Sequence, residues 1–437
     1  MRRLLLLILC LFLPGLAGAV DLSRVEIYLA GNNLEGAQQA LQAEYEKASS
    51  RYDKEQLQYK MVQVALLQKK PQKAIDVFRN MLANNPALLR VRCELAYLYF
   101  LEKEDAAARY HARLALADAH LPAVYRTQLE NMLSVLRLRR AWQLYVNIGM
   151  TPDSNINTMS GRQIECVTVM GLPFCRELED IKKDVGFQGF ASLSYVYKLT
   201  EHWGVKGRLN WDVLDYKEDR YSFWGLGGEL GPRYVTEDNE YGAGVSYRQQ
   251  WNDQQRYSHA VGGFGEWQSD LSRRLSLRAR LSLDRVEYNR AEYQGYNADN
   301  YGALLRLVYG IDSRSYASLS GFWMYEDSQT DWNSNFRQRY GIGYGTELPW
   351  GFNVYVEPNA TWVHYRQGRN FIGKNSRLEW LKRQDATYGV YVTLSNKHLR
   401  FYNITPTISY IYNRRFSNVN NYDYARTRWE IGLSKSF

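Results

Sequence analysis

Histidine, serine, glycine and cysteine are the residues through which this chain could do chemistry, and their spacing argues against most of it. The six histidines (His111, His120, His202, His259, His364 and His398) are scattered. None falls in an HExxH array or another spacing that brings metal ligands together. Serines occur in turns and on strand faces, without the G-x-S-x-G elbow that lifts a nucleophile above a sheet. Gly225, Gly227, Gly228 and Gly231 have the wrong spacing for a phosphate loop and fall on an expected strand. The pattern therefore points to no catalytic centre, no metal and no cofactor. Cysteine is different: Cys166 and Cys175 lie nine residues apart. In an oxidising compartment that spacing closes a small disulfide loop. Cys93 stands among helical apolar residues and reads as a packed thiol.

The elements around these residues have two rhythms. From Ala141 to Phe437 the chain alternates with period two, in aromatic-rich strands separated by short polar turns. Val205, Gly207, Leu209, Trp211 and Val213 share one face; Lys206, Arg208, Asn210 and Asp212 share the other. A sandwich core would bury those charges. A closed membrane barrel gives the apolar face to lipid and the charged face to a wet lumen. The 35 tyrosines and 12 tryptophans suit the aromatic girdles of such a barrel. A mean hydropathy of −0.48 excludes a helical membrane protein without excluding a barrel.

Six short turns divide the strands: Thr200-Glu201-His202, Glu237-Asp238-Asn239, Asp270-Leu271-Ser272, Asp312-Ser313-Arg314, Leu348-Pro349-Trp350 and Asn396-Lys397-His398. They join seven hairpins and predict 14 strands. Longer connections are expected at 152–183, 287–297, 365–385 and 414–423. Alternation turns Lys206, Arg208, Arg248, Arg278 and Arg280 inward, near Asp212 and Asp284. It also places Gly341, Gly343 and Gly345 on one face of a single strand. That stripe would thin the wall for close approach of another backbone, loosen the strand, or simply let a closed barrel curve. Terminal Phe437 matches the signal read by the barrel-assembly machinery.

Residues 20–140 follow a helical period instead, with Ala40, Ala74 and Ala108 recurring every 34 residues. That is the period of tetratricopeptide repeats, whose stacked helix pairs leave a groove for a peptide or protein. An ordinary helical domain is the alternative. Ahead of it, Arg2 and Arg3, the apolar run Leu4 to Leu16 and Ala17-Gly18-Ala19 compose a secretory signal peptide over residues 1–19. Cys10 lies inside that apolar run, so no lipoprotein anchor is read. No later stretch approaches about 18 apolar residues, so no membrane-spanning helix is expected. The net charge of +9 is spread along the chain, +4 in residues 20–140 and +3 in 141–437. Without a basic block, nucleic-acid binding is not expected. Export, the missing helical span and the alternation together place the chain in a Gram-negative outer membrane, its helical domain in the periplasm.

The tract Asp153-Ser154-Asn155-Ile156-Asn157, at the exit of the first strand, resembles a signature of the surface lipoprotein assembly modulators, the Slam proteins. Its residue types also suit a plain turn. The order of signal peptide, short helical array and 14-strand barrel resembles that family over the whole mature chain. The resemblance implies a protein translocator that delivers a surface lipoprotein, or releases a soluble haem- or metal-scavenging protein. The helical domain would hold cargo and the barrel would supply the passage. Cargo folding outside, handoff from a periplasmic chaperone, or prevention of back-sliding would drive transport, since no nucleotide site is visible. Two other readings fit a repeat-plus-barrel chain: an exopolysaccharide export porin, and a passive porin or adhesin.

Overall fold

The computed structural model describes residues 22–139, 142–169, 172–374, 376–396, 399 and 404–436. The expected signal peptide, the junction at 140–141, Lys397-His398 of the last short turn and Phe437 lie outside these.

Among the described residues seven helices come first: α1 (Ser23–Ala30), α2 (Leu34–Lys47), α3 (Arg51–Leu67), α4 (Pro71–Asn84), α5 (Leu89–Leu101), α6 (Asp105–Ala117) and α7 (Ala123–Arg139). They pair into hairpins α1–α2, α3–α4 and α5–α6, each closed by one device. A left-handed residue follows the first helix: Asn32 (φ 53), Lys69 (φ 58) and Lys103 (φ 63). The next N–H then reaches back five residues, from Asn33 to Tyr28, Lys70 to Ala65 and Glu104 to Tyr99. This satisfies carbonyls that a helix end otherwise leaves bare. The fourth residue of each second helix is a fully buried alanine, Ala37, Ala74 and Ala108. The first repeat is therefore 37 residues long. Ala40, which keeps the 34-residue spacing, is only partly buried. Around these alanines Leu57, Phe78, Leu82, Leu95 and Leu136 are buried, and the small side chain lets paired helices close on that core.

The remainder forms a closed antiparallel barrel of 14 strands. They are β1 (Trp142–Asp153), β4 (Asp184–Lys198), β5 (Trp203–Asp215), β6 (Phe223–Val235), β7 (Asn239–Asn252), β8 (Gln255–Asp270), β9 (Leu275–Tyr288), β10 (Ala298–Gly310), β11 (Ser315–Ser328), β12 (Asn335–Glu347), β13 (Phe352–Ile372), β14 (Leu378–Asn396), β15 (Thr405–Ser417) and β16 (Tyr424–Ser436). A separate hairpin, β2 (Ile164–Val169) and β3 (Leu172–Glu177), stands in the first long connection. β16 pairs with β1, from Tyr145↔Ser436 to Asp153↔Arg428, so the sheet has no free edge.

Alternation holds around the wall. Leu209, Val245, Leu281, Leu283 and Ile342 point out and are exposed, as lipid-facing residues must be. Aromatic rings gather near both ends of the outer face. Tyr234, Tyr241 and Trp267 line up at the short-turn end. Trp224 stacks on Trp251 at 3.7 Å near the other, where Trp323, Tyr340, Trp362, Tyr388 and Phe416 form a second chain.

The five described short turns lie where the sequence puts them. The expected loop at 365–385 does not: β13 continues to Ile372 and β14 begins at Leu378, so most of it is strand. The register slips between His364 and Gly368. There four residues of β13 stand against two of β14, and the polar run Arg366-Gln367 ahead of Gly368 reads as a loop in sequence. β15 likewise continues to Ser417, into the expected connection at 414–423. On the same end β7 and β8 are joined by two residues only, Asp253 (φ 52) and Gln254 (φ 56), as in a tight type I′ hairpin.

Candidate functional site

The inward face of β5 to β9 is an interlaced charge network. Lys206 Nζ lies 3.2 Å from Glu240 and 2.6 Å from Glu266. Arg208 donates to Glu229 at 2.7 Å and Arg280 to the same carboxylate at 2.9 Å. Arg233 pairs with Glu240 at 2.9 Å. Nearer the long-loop end, Arg248 holds Asp212 at 2.8 Å. Arg278 is inward too, but among the described residues no carboxylate lies within ion-pair distance of it. The three glutamates escaped the sequence reading, although the same alternation on β6, β7 and β8 turns them inward.

Gly341, Gly343 and Gly345 also face the lumen, and their missing side chains are replaced by neighbours. A Cβ on Gly343 would overlap the Tyr355 hydroxyl and Ser318; one on Gly345 would strike the Tyr316 ring. At Gly341 it would come 2.8 Å from the Glu357 carboxylate. Tyr316 and Tyr355 stack with centroids 6.1 Å apart, and the Tyr355 hydroxyl donates to Glu357 at 2.5 Å. The stripe seats two flat-lying tyrosines, and among the described residues no second backbone approaches its three glycines.

At the other end of the barrel, the Asp153–Asn157 tract ties the β1–β16 seam. The buried Asp153 carboxylate accepts from Arg426 at 2.6 Å, from the Tyr216 hydroxyl at 2.9 Å and from the Asn155 N–H at 3.0 Å. Ser154 Oγ accepts from Thr427 N–H at 2.8 Å, and Asn155 donates to the Ala425 carbonyl at 3.0 Å. Ile156 N–H reaches the Lys182 carbonyl and Asn157 the Asp180 carbonyl, so the returning limb of the first loop is pinned as well. Within that loop Cys166 and Cys175 face each other across β2–β3, their sulfurs bonded. Leu172 and Phe174 of the hairpin are exposed. Its strand β2 leans on the extended β13–β14 pair, Thr168 N–H donating to the Ser376 carbonyl at 3.2 Å.

The helical domain meets the short-turn rim, through residues that the sequence did not single out. Arg92, wholly buried on α5, donates to Glu347 at the end of β12 at 2.6 Å and to the Pro86 carbonyl at 2.9 Å. The Tyr110 hydroxyl joins the same carboxylate at 2.6 Å. Burial pushes that phenol well above its ordinary value. Asp270, closing β8, is clasped by Arg113 at 2.7 Å and by Arg137. Between α6 or α7 and the ends of β8 to β11 lies a cavity of about 750 Å³ that reaches Tyr316. Asp118, beyond α6, takes the His120 N–H and the Ser313 hydroxyl; burial raises its pKa, and those hydrogen bonds outweigh it and leave the carboxyl below its ordinary value.

A closed 14-strand barrel with an apolar, aromatic-girdled exterior and a charged lumen is an outer-membrane protein. The family model described as surface lipoprotein assembly modifier matches residues 142–437. A surface lipoprotein assembly modifier of Pasteurella multocida is 23% identical over 87% of this chain and 76% of its own. Surface lipoprotein assembly modifier 1 of Haemophilus influenzae is 24% identical over 83% of this chain and 74% of its own. The hemophilin secretion modulator of Acinetobacter baumannii is 23% identical, over 92% and 82%. With the whole barrel matched, the chain belongs to the surface lipoprotein assembly modifier family.

Proposed function

We propose that this protein carries a polypeptide across the outer membrane, delivering a surface lipoprotein or releasing a secreted haem- or metal-binding protein. The observation that carries this reading is the clamp between a helical repeat array and the rim of a family-matched barrel. A passive pore has no use for a domain anchored over its mouth by a wholly buried arginine. On this reading the short-turn rim and the helices face the periplasm, and the disulfide hairpin faces outward. The helical groove receives cargo, alone or from a periplasmic chaperone, and the aromatic girdles seat the barrel in lipid. Insertion would go through the barrel-assembly machinery, with Phe437 as part of its signal. The protein would act as a conduit and not as an enzyme. Cargo folding on the far side, which traps the emerged chain, supplies direction.

Deleting the gene and profiling the surface by protease shaving, and the medium by mass spectrometry, tests the reading. Loss of one or two proteins with their retention in the periplasm is the expected result. An unchanged surface and medium, with altered uptake of small solutes, would overturn it. Removing residues 20–140 alone should abolish delivery while the barrel still inserts.

A further inference from the structure

Arg278 on β9 and Arg306 on β10 are direct cross-strand partners. Both point inward and both are exposed to the lumen. Like charges set opposite each other on neighbouring strands repel, and a sheet usually avoids them. Here neither guanidinium has an acidic neighbour within ion-pair distance among the described residues. Glu266 and Glu240 act on Arg278 from further away. Both are already engaged, Glu266 by Lys206, Arg208 and Arg280, and Glu240 by Lys206 and Arg233. No side-chain hydrogen bond joins Arg278 or Arg306 to a described residue.

The wall beyond Arg306 is equally uncommitted. Its ladder partner on β11 is Ser320, followed by Gly341 on β12 and Asn359 on β13. Those three side chains carry no charge, and the Glu357 carboxylate that leans over Gly341 is already taken by the Tyr355 hydroxyl. Arg306 is near enough to Tyr316 and Tyr355 for its charge to act on both. Tyr316 in turn lines the cavity beneath the helical domain, whose walls include Arg109, Arg113, Arg137 and Asp270. The cavity wall also includes Ser276 and Val308, the inward ladder pair two residues from Arg278 and Arg306, so a lane leads from the cavity past Tyr316 to the paired guanidiniums.

We infer that this lane receives an acidic polypeptide segment, whose carboxylates relieve the Arg278–Arg306 repulsion. Carboxylates match the guanidinium fork, and a ring of arginines favours anionic over cationic passage. The inference deepens the translocator reading and rests on it, naming the kind of segment the lumen engages.

Purified full-length protein in detergent should be titrated against short fluorescein-labelled peptides of alternating Glu/Ser, Gln/Ser and Lys/Ser, with anisotropy as readout. The Glu/Ser peptide should bind, and high salt should weaken it. Joint substitution of Arg278→Gln and Arg306→Gln should weaken that binding about tenfold. Arg285→Gln, an exposed arginine near the end of β9 held by Glu287 and Asp299, should leave it unchanged. A single Arg306→Glu change, which supplies Arg278 with an internal partner, should also abolish binding while easing the repulsion in the folded wall. Equal binding of the three peptides, no binding of Glu/Ser, or undiminished binding by the double and Arg306→Glu variants would each overturn the inference. Peptide binding with an unaltered surface proteome after gene deletion would instead sink the translocator reading.

Discussion

Glu94 on α5 shows how a buried carboxyl sets the pH response of the helical domain. Burial raises its pKa, opposed by the Tyr125 hydroxyl that donates to it at 3.1 Å and by the nearby Arg90 charge. A carboxyl whose folded pKa is raised stabilises the fold below its unfolded value, and the benefit is lost as pH rises through the folded value. Ionised Glu94 is thus a burden at neutral pH. Glu94→Gln keeps an acceptor for Tyr125, so the variant should melt a few degrees above wild type at pH 7 and level with it at pH 4. Melting followed at 222 nm on the full chain in detergent checks this. Asp153 is the opposite case, a carboxylate wanted in its charged form. Asp153→Asn strips charge from a buried site that holds Arg426, at a cost of about 3 kcal/mol. On semi-native gels the folded barrel band should then convert to the unfolded form at a lower temperature. Alternation alone placed Lys206, Arg208 and Arg280 on the lumen face, and that much was legible. Their acidic partners were not, because which strand positions meet depends on register. Still less was the pairing of Asp153 with Arg426, 273 residues away.

At the scale of elements, strand β12 joins three glycines to two tyrosines from flanking strands. If the stripe exists to seat them, adding a methyl should be harmful only while the tyrosine is there. Gly343→Ala should destabilise the barrel by about 1–3 kcal/mol, as overpacking does. Tyr355→Ala in the same chain should recover most of that loss, whereas a pure curvature role for Gly343 predicts no rescue. Heat-modifiable mobility of the single and double variants decides between them. Strand number and turn positions could be read in advance because polar turns interrupt the apolar face so regularly. The tall β13–β14 pair was hidden: Tyr365 to Ile372 carries four charged or amide residues around Gly368, and a bulge puts two extra residues into β13. In the helices, the shared turns at Asn32, Lys69 and Lys103 show repeats more clearly than alanine spacing does. The first repeat is longer, so a fixed 34-residue ruler lands on Ala40 when Ala37 is the packed residue.

For the whole molecule, the informative contact is Arg92 with Glu347, 255 residues apart in sequence. Nothing local announces it, since each residue is unremarkable in its own element. Removing one member of a buried pair strands the other without water, which costs several times what an exposed pair contributes. Arg92→Met should therefore free the helical domain from the rim by about 3–5 kcal/mol of lost contact. Hydrogen exchange should rise at the ends of β12 and β8 and along α5 and α6, while the barrel keeps its resistance to heat. If delivery needs the domain held in place, the same variant should retain cargo inside.

The uneven rim at the loop end has its own consequence. Between β7 and β8 the wall stops at Asp253-Gln254, barely past Trp251. Opposite, β13 continues eight residues beyond His364, or ~27 Å of strand. On the proposed translocator reading this rim is the exit, a doorway with a parapet along one side and a bare sill along the other. Whatever leaves it is shielded from the bulk on the tall side. Over the sill it can step sideways onto the lipid surface without first being lifted clear of the protein.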